Sequence, residues 1–93
     1  MHSVEAARTL RLRNPAGLHA RPCHAIASIA SQFESELRVA CGGTDVNGKS
    51  ILELMTLCAP CQAELEFRAQ GPDADALIAR LAAEIEAGFH EME

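Results

Sequence analysis

The 93 residues are enough for one compact domain, and a hydrophobic content of 48% is too high for a disordered segment. A net charge of −5 with a single lysine, Lys49, leaves no basic footprint for a phosphate backbone, which excludes a nucleic-acid partner. No apolar run approaches the roughly 20 residues that span a bilayer. The polar first nine residues also lack the apolar stretch of a signal peptide, so the expectation is a cytoplasmic protein without membrane insertion.

In chain order, Thr9-Leu10-Arg11-Leu12-Arg13 alternates polar and apolar residues and predicts a half-buried strand. Asn14-Pro15-Ala16-Gly17 breaks it with turn chemistry. From Ala20 onward, Cys23, Ile26, Ile29, Ala30 and Phe33 recur at helical steps and predict a helix ending near Phe33, with Pro22 in its first turn. Residues 36–41 alternate again, with Leu37, Val39 and Cys41 inward. Gly42-Gly43 turns that strand into a short partner over residues 44–46, a predicted hairpin.

After a break at Asn47-Gly48, Ser50 to about Leu57 predicts a two-turn helix that Pro60 stops. Residues 63–69 predict a further strand with Leu65 and Phe67 inward. Asp73 is placed to cap the last helix, whose buried stripe is Leu77, Ile78, Leu81, Ile85 and Phe89, with Gly88 as its stop. Four half-buried strands and three helical faces in the order βαββαβα call for an α+β sandwich: an antiparallel sheet with helices layered on one face.

Chemistry concentrates between the first strand and the first helix. Asn14-Pro15-Ala16-Gly17-Leu18-His19-Ala20-Arg21-Pro22 places a histidine at a helix start, where amides such as that of Ala20 lack intrahelical acceptors. Those amides and the helix dipole make an anion site beside the imidazole. Arg21 adds a planar cation suited to phosphate. A nucleophile, anion-binding amides and a fixed cation are what reversible phosphoryl transfer needs, although a capping or surface histidine would look the same by spacing alone.

Gly17-Leu18-His19-Ala20-Arg21-Pro22 resembles the phosphohistidine signature of the HPr family, carriers of the phosphoenolpyruvate-dependent phosphotransferase system. Asn47-Gly48-Lys49-Ser50-Ile51-Leu52 resembles that family's second motif, and Gly71-Pro72-Asp73 with the helix after it resembles its last helix. The resemblance runs over about residues 9–89. It implies an open-faced sandwich of four antiparallel strands and three helices, as a single domain over 1–93. It implies that His19 takes up the phosphoryl group through Nδ1, with Ala20 and Arg21 binding phosphate. Ser50 corresponds to a serine that a regulatory kinase phosphorylates in some bacteria; its own residue type and place before an apolar run favour an ordinary helix N-cap, which explains it without regulation.

His24, Ile51, Leu52 and Met55 would form the surface that meets partner proteins. The implied partners are enzyme I as donor, EIIA-type proteins as acceptors, and an HPr kinase/phosphorylase. The carrier would be a monomer, not an enzyme in its own right, and the reading calls for no cofactor and no metal. Gly88-Phe89 before acidic residues looks more like the regulatory, nitrogen-related branch than the sugar-uptake branch.

Some features depart from the family pattern. Glu53 follows Lys49 by four residues, which suggests an i, i+4 pair. Gln62 stands where the family usually has glycine, which points to an altered turn before the last strand. Cys58-Ala59-Pro60-Cys61 has the spacing of a dithiol couple or half a zinc site, with Cys41, His2, His24 and His90 as candidate further donors. Without a secretory signal the four cysteines read as reduced thiols, Cys23 and Cys41 as small buried hydrophobes. Two rival readings follow: a regulatory binding module acting through Ser50, Ile51, Leu52 and Met55, and a thiol-redox or metal-binding protein built on Cys58 and Cys61.

Overall fold

Residues 64–69 show most directly how this sequence makes a sheet. Along the strand Glu64–Gly71, Leu65, Phe67 and Ala69 are buried while Glu64, Glu66 and Arg68 are exposed. The computed structural model describes residues 4–90; His2 and the acidic residues after His90 lie outside the described residues. Its elements are β1 (Val4–Arg11), α1 (Ala20–Ser31), β2 (Glu36–Cys41), β3 (Thr44–Asn47), α2 (Ile51–Met55), β4 (Glu64–Gly71) and α3 (Ala74–Glu86). A short 3-10 turn, Gly88–His90, follows α3.

The strands form one antiparallel sheet in the order β1-β4-β2-β3. Leu10 lies opposite Leu65, and Phe67 opposite Val39, so their side chains share the buried face. Helix α3 packs against β1 and β4, α2 against β3, and α1 against both other helices. The expected α+β sandwich is the fold observed. Fully burying a side chain such as Phe67 contributes about 1.5–3 kcal/mol, and its place on the central strand puts it in the middle of the core.

The other sheet face is charged and solvated. Arg38 and Arg68 are directly opposite each other across β2 and β4. Asp45 separates them electrostatically, accepting from Arg38 Nε at 2.8 Å and pairing with Arg68 as well. Arg11 pairs with Glu64 at 2.8 Å on the same face.

Strands β3 and β4 shift by one or two residues from the sequence reading, and β1, α1 and α2 differ for identifiable reasons. Strand β1 covers Val4–Arg11 and not residues 9–13, because its first half is held by the ladder Val4↔Gly71 to Arg8↔Phe67 and not by its own alternation. Leu12 continues the contact irregularly, exchanging backbone bonds of 2.9 Å with Ala63 and Gln62. Helix α1 ends at Ser31, with Gln32 as its C-cap. Helix α2 is shorter than expected and ends before Pro60 can act. Thr56 Oγ1 donates to the Glu53 carbonyl at 2.5 Å, and Cys58 then turns left-handed at φ 49.

Asp73 occupies the N-cap position of α3 but makes no side-chain cap bond to it. Its carboxylate accepts instead from Ser35 Oγ at 2.5 Å, Ser35 N–H at 2.9 Å and Glu34 N–H at 3.0 Å, tying the α1–β2 loop to the start of α3. The Ser35 hydroxyl above all, then the Glu34 amide, hold its carboxyl below the ordinary value. A carboxyl held low adds stability that is complete above its unfolded value near pH 4 and is lost as pH falls through the lowered one. The advantage of the wild type over Asp73→Asn in thermal melts should therefore shrink as pH drops below about 4. Parallel pH profiles for the two proteins would remove Asp73 from the account of acid stability.

The last helix ends as expected. Gly88 takes φ 63, and Phe89 folds back buried to complete the stripe of Leu77, Ile78, Leu81 and Ile85. No described helix is long and apolar enough to cross a membrane.

Candidate functional site

The loop between β1 and α1 is built on a turn in which the Asn14 carbonyl accepts the Gly17 N–H at 3.1 Å. The Asn14 side chain donates back to the Gly17 carbonyl at 2.6 Å. Gly17 sits at φ 71 and so close to the 59–61 segment that a Cβ there would lie 2.5 Å from the Ala59 oxygen. Leu18 N–H donates to that same Ala59 oxygen at 2.8 Å, and its side chain is buried. The loop is thereby seated on the segment that precedes β4.

His19 follows as the N-cap of α1, in an extended conformation of φ −106 and ψ −167. Its carbonyl accepts the Cys23 N–H at 3.0 Å and so starts the helix, while its imidazole makes no cap bond to the helix amides. Pro22 has no N–H, so Ala20 and Arg21 carry the first-turn amides that lack an intrahelical acceptor beside His19. Both residues are exposed, and His19 is half-buried. A half-buried nucleophilic ring at the positive end of a twelve-residue helix, with a guanidinium two residues on, can receive a dianionic group and stabilise its oxygens.

Of the residues assigned to a partner surface, His24, Ile51 and Leu52 line grooves between α1 and α2, and Met55 lines neither. Ala20, Arg21, His24 and Ile51 line one shallow groove of about 440 Å³ between α1 and α2. His24, Lys49, Ser50, Ile51 and Leu52 lie along a neighbouring groove. Leu52 is 79% exposed and Met55 42%, whereas Leu54 of the same helix is fully buried in the core. Helix α2 therefore divides as predicted, one face packed and the other apolar and open.

Ser50 caps α2, its Oγ accepting the Glu53 N–H at 3.1 Å. The suggested Lys49–Glu53 pair is replaced by other contacts. Lys49 precedes the helix, and its Nζ donates to the Phe33 carbonyl beyond the end of α1 at 3.0 Å. The Glu53 carboxylate accepts the Asn47 N–H at 3.0 Å. Because the two residues are not on one continuous helix, the i, i+4 rule does not apply to them.

All four cysteines carry free thiols. Cys23 is fully buried in α1, and burial pushes its thiol up to about 11. Cys41 is only half-buried at the end of β2, less than the sequence reading assigned it. Cys58 is exposed and Cys61 half-buried. Among the described residues no three His, Cys, Asp or Glu side chains converge as a metal site.

Gln62 takes φ 73, the conformation that glycine adopts without cost. The turn thus keeps a glycine-like shape, and Gln62 bears the strain. A left-handed non-glycine residue costs about 1–2 kcal/mol, against about 0.5–1 kcal/mol of extra chain entropy that glycine loses on folding. The backbone bonds of residue 62, to Leu12 and from Arg11, survive the change to glycine. Gln62→Gly should therefore raise the urea midpoint, by up to about 1 kcal/mol of stability. An unmoved or lowered midpoint would show that Gln62 is not strained there.

Sequence reasoning identified the histidine, the cation and the apolar face of α2. It did not find the buried Asn14 contact or the seat for Gly17. Both depend on residues 59–61 or on side-chain geometry inside a turn, and no periodicity signals either.

Known proteins match this arrangement along the chain. The family model described as the PTS HPr component phosphorylation site matches residues 6–87. The phosphocarrier protein HPr of Treponema pallidum is 39% identical over 74 residues, which are 80% of this chain and 84% of that protein. A multiphosphoryl transfer protein of Vibrio cholerae is 40% identical over 86 residues, 89% of this chain but only 22% of that longer protein. Among solved structures, HPr-C-His of Thermoanaerobacter tengcongensis superposes with a TM-score of 0.90 at 33% identity, covering 95% of this chain and 99% of that one. The HPr of Bacillus anthracis gives 0.83 at 26%, covering 87% and 96%. A match that runs from within β1 past the end of α3, joined to the same sandwich, places this chain in the PTS HPr family.

Proposed function

We propose that the protein accepts a phosphoryl group on His19 from phosphorylated enzyme I and passes it to an EIIA-type acceptor, serving as a stoichiometric carrier. The observation that carries this reading is the placement of His19: it is the N-cap of α1 without using its ring as a cap, and it directly precedes Ala20 and Arg21, which share a groove with Ile51 of α2. In transfer, the phosphorus–nitrogen bond of the donor breaks as one to His19 Nδ1 forms, Nδ1 being the atom that the family resemblance assigns. The Ala20 and Arg21 amides and the Arg21 guanidinium stabilise the phosphoryl oxygens.

His24, Ile51, Leu52 and Met55 form a docking surface small enough for brief encounters, as a carrier with successive partners requires. The working unit is one domain over 1–93, monomeric and cytoplasmic. Ser50 is the position for regulatory phosphorylation by an HPr kinase/phosphorylase. Its Oγ lies at the groove that carries Ile51 and Leu52, so added negative charge there would weaken docking of acidic partners.

The test is an intact-mass assay with phosphoenolpyruvate and enzyme I from the same organism. The expected result is a gain of one acid-labile phosphoryl group. No gain, under conditions that charge a known carrier, would overturn the reading in favour of a binding module working through the α2 surface alone.

A further inference from the structure

The six residues between Asn14 and His19 inclusive contain no regular element, yet the last of them presents the imidazole. Asn14 is completely buried, with 0% of its surface exposed. Burying a carboxamide costs free energy that its hydrogen bonds must offset, and for Asn14 the Nδ2 end carries the bond that matters here. Here Nδ2 donates to the Gly17 carbonyl at 2.6 Å, while the Asn14 main-chain carbonyl accepts the Gly17 N–H at 3.1 Å. One residue therefore grips the peptide groups on both sides of Gly17. The same Gly17 carbonyl accepts the His19 N–H at 3.1 Å, so a single oxygen joins the Asn14 side chain to the His19 backbone.

We infer that Asn14 is a positioning residue for phosphoryl transfer: it orients the Gly17 carbonyl, and through it the backbone that aims the His19 ring. The inference rests on the carrier reading given above. The turn itself needs only the main-chain bond, which any residue at 14 supplies. The side-chain bond adds the orientation of the Gly17–Leu18 peptide plane, and that plane leads directly into His19. Without it, the carbonyl is left to the short His19 contact, and the plane can rock. The docking residues Ile51, Leu52 and Met55 are on α2 and do not touch this bond. Loss of Asn14 should therefore show in the transfer step and not in docking.

The experiment measures transfer from phosphorylated enzyme I to the wild type, Asn14→Ala, Asn14→Asp and, as a control for stability, Ile85→Val in the remote core of α3. Asn14→Asp keeps the size, but an ionised carboxylate cannot donate to Gly17. Both Asn14 variants should lose on the order of 10-fold or more in kcat, with KM within about 2-fold of wild type, because in-line transfer is sensitive to small misplacement. Their His19 ring signals should shift in NMR spectra while the α2 amide signals stay in place. Ile85→Val should lower Tm and leave kcat unchanged.

A wild-type kcat in Asn14→Ala, a loss confined to KM, an equal kcat loss in Ile85→Val, or loss of cooperative folding in both Asn14 variants would each overturn the inference. A wild type that is never charged would overturn the carrier reading and this inference with it. A charged wild type with an unaffected Asn14→Ala overturns this inference alone.

Discussion

His19→Ala should abolish phosphoryl acceptance while leaving the protein cooperatively folded. The chemical half follows from the inventory at the site. Arg21 always carries a proton, amides are not nucleophiles, and Ala offers no lone pair for phosphorus. The structural half follows from the cap geometry. The His19 ring makes no cap bond to the α1 amides, and the His19 carbonyl that accepts the Cys23 N–H is kept by alanine, so the variant should still fold cooperatively. Intact mass after incubation with phosphoenolpyruvate and enzyme I reads the first effect, and urea unfolding the second. An acid-labile gain in His19→Ala would move the acceptor elsewhere, with His24 the next imidazole along α1. A loss of acceptance accompanied by unfolding would leave the chemical role unproved.

Gly17→Ala should be strongly destabilising. Two costs add here. The residue sits at φ 71, and a new Cβ would lie 2.5 Å from the Ala59 oxygen, 2.8 Å from the Pro60 carbonyl carbon and 2.9 Å from the Cys61 nitrogen. All three are backbone atoms, so no side chain can swing aside. A left-handed alanine costs about 1–2 kcal/mol and overpacking a further 1–3 or so, together about 2–5 kcal/mol. Any relief requires the 14–19 loop to lift from its seat, which also displaces His19. A large fall in the urea midpoint with slowed phosphoryl acceptance is the expected pair of results. An unchanged midpoint would mean that the loop does not rest on residues 59–61 as described.

Much of this architecture could be read from local pattern. The two-residue alternation of β4, the three- and four-residue steps of α1 and α3, and the glycine pair between β2 and β3 each report a single face or turn. The first half of β1 escaped because Ala6, Ala7 and Arg8 owe their strand to partners about 60 residues away. Asp73 was placed correctly at a helix start but with the wrong bonds, since Ser35 and Glu34 reach it from across the fold. Lys49 and Glu53 were paired by a helical spacing in a stretch where the helix had not yet begun. At the proposed site, His19 and Arg21 were singled out through Gly17-Leu18-His19-Ala20-Arg21-Pro22, the motif that resembles the HPr signature, because spacing alone does not separate a reactive histidine from a capping one. Asn14 was not, because turn-forming asparagines are common and nothing local says that this one is buried.

The sheet order has a consequence for how the chain is made. Strand β4 lies between β1 and β2, so the first strand to be synthesised has no neighbour until almost the last has appeared. On a growing chain, the β2–β3 hairpin and the contacts of α2 with α1 and β3 are available before residue 64, but no pairing of β1 is. Until then β1 and one side of β2 are open edges, the state most exposed to mispairing between chains. The His19 loop waits as long, because Ala59 and Gln62, on which it and the end of β1 rest, come just before β4. A chain stopped short of Gly71 is thus not a smaller version of this protein, since the hairpin and helices would be left without the strand that joins them to β1.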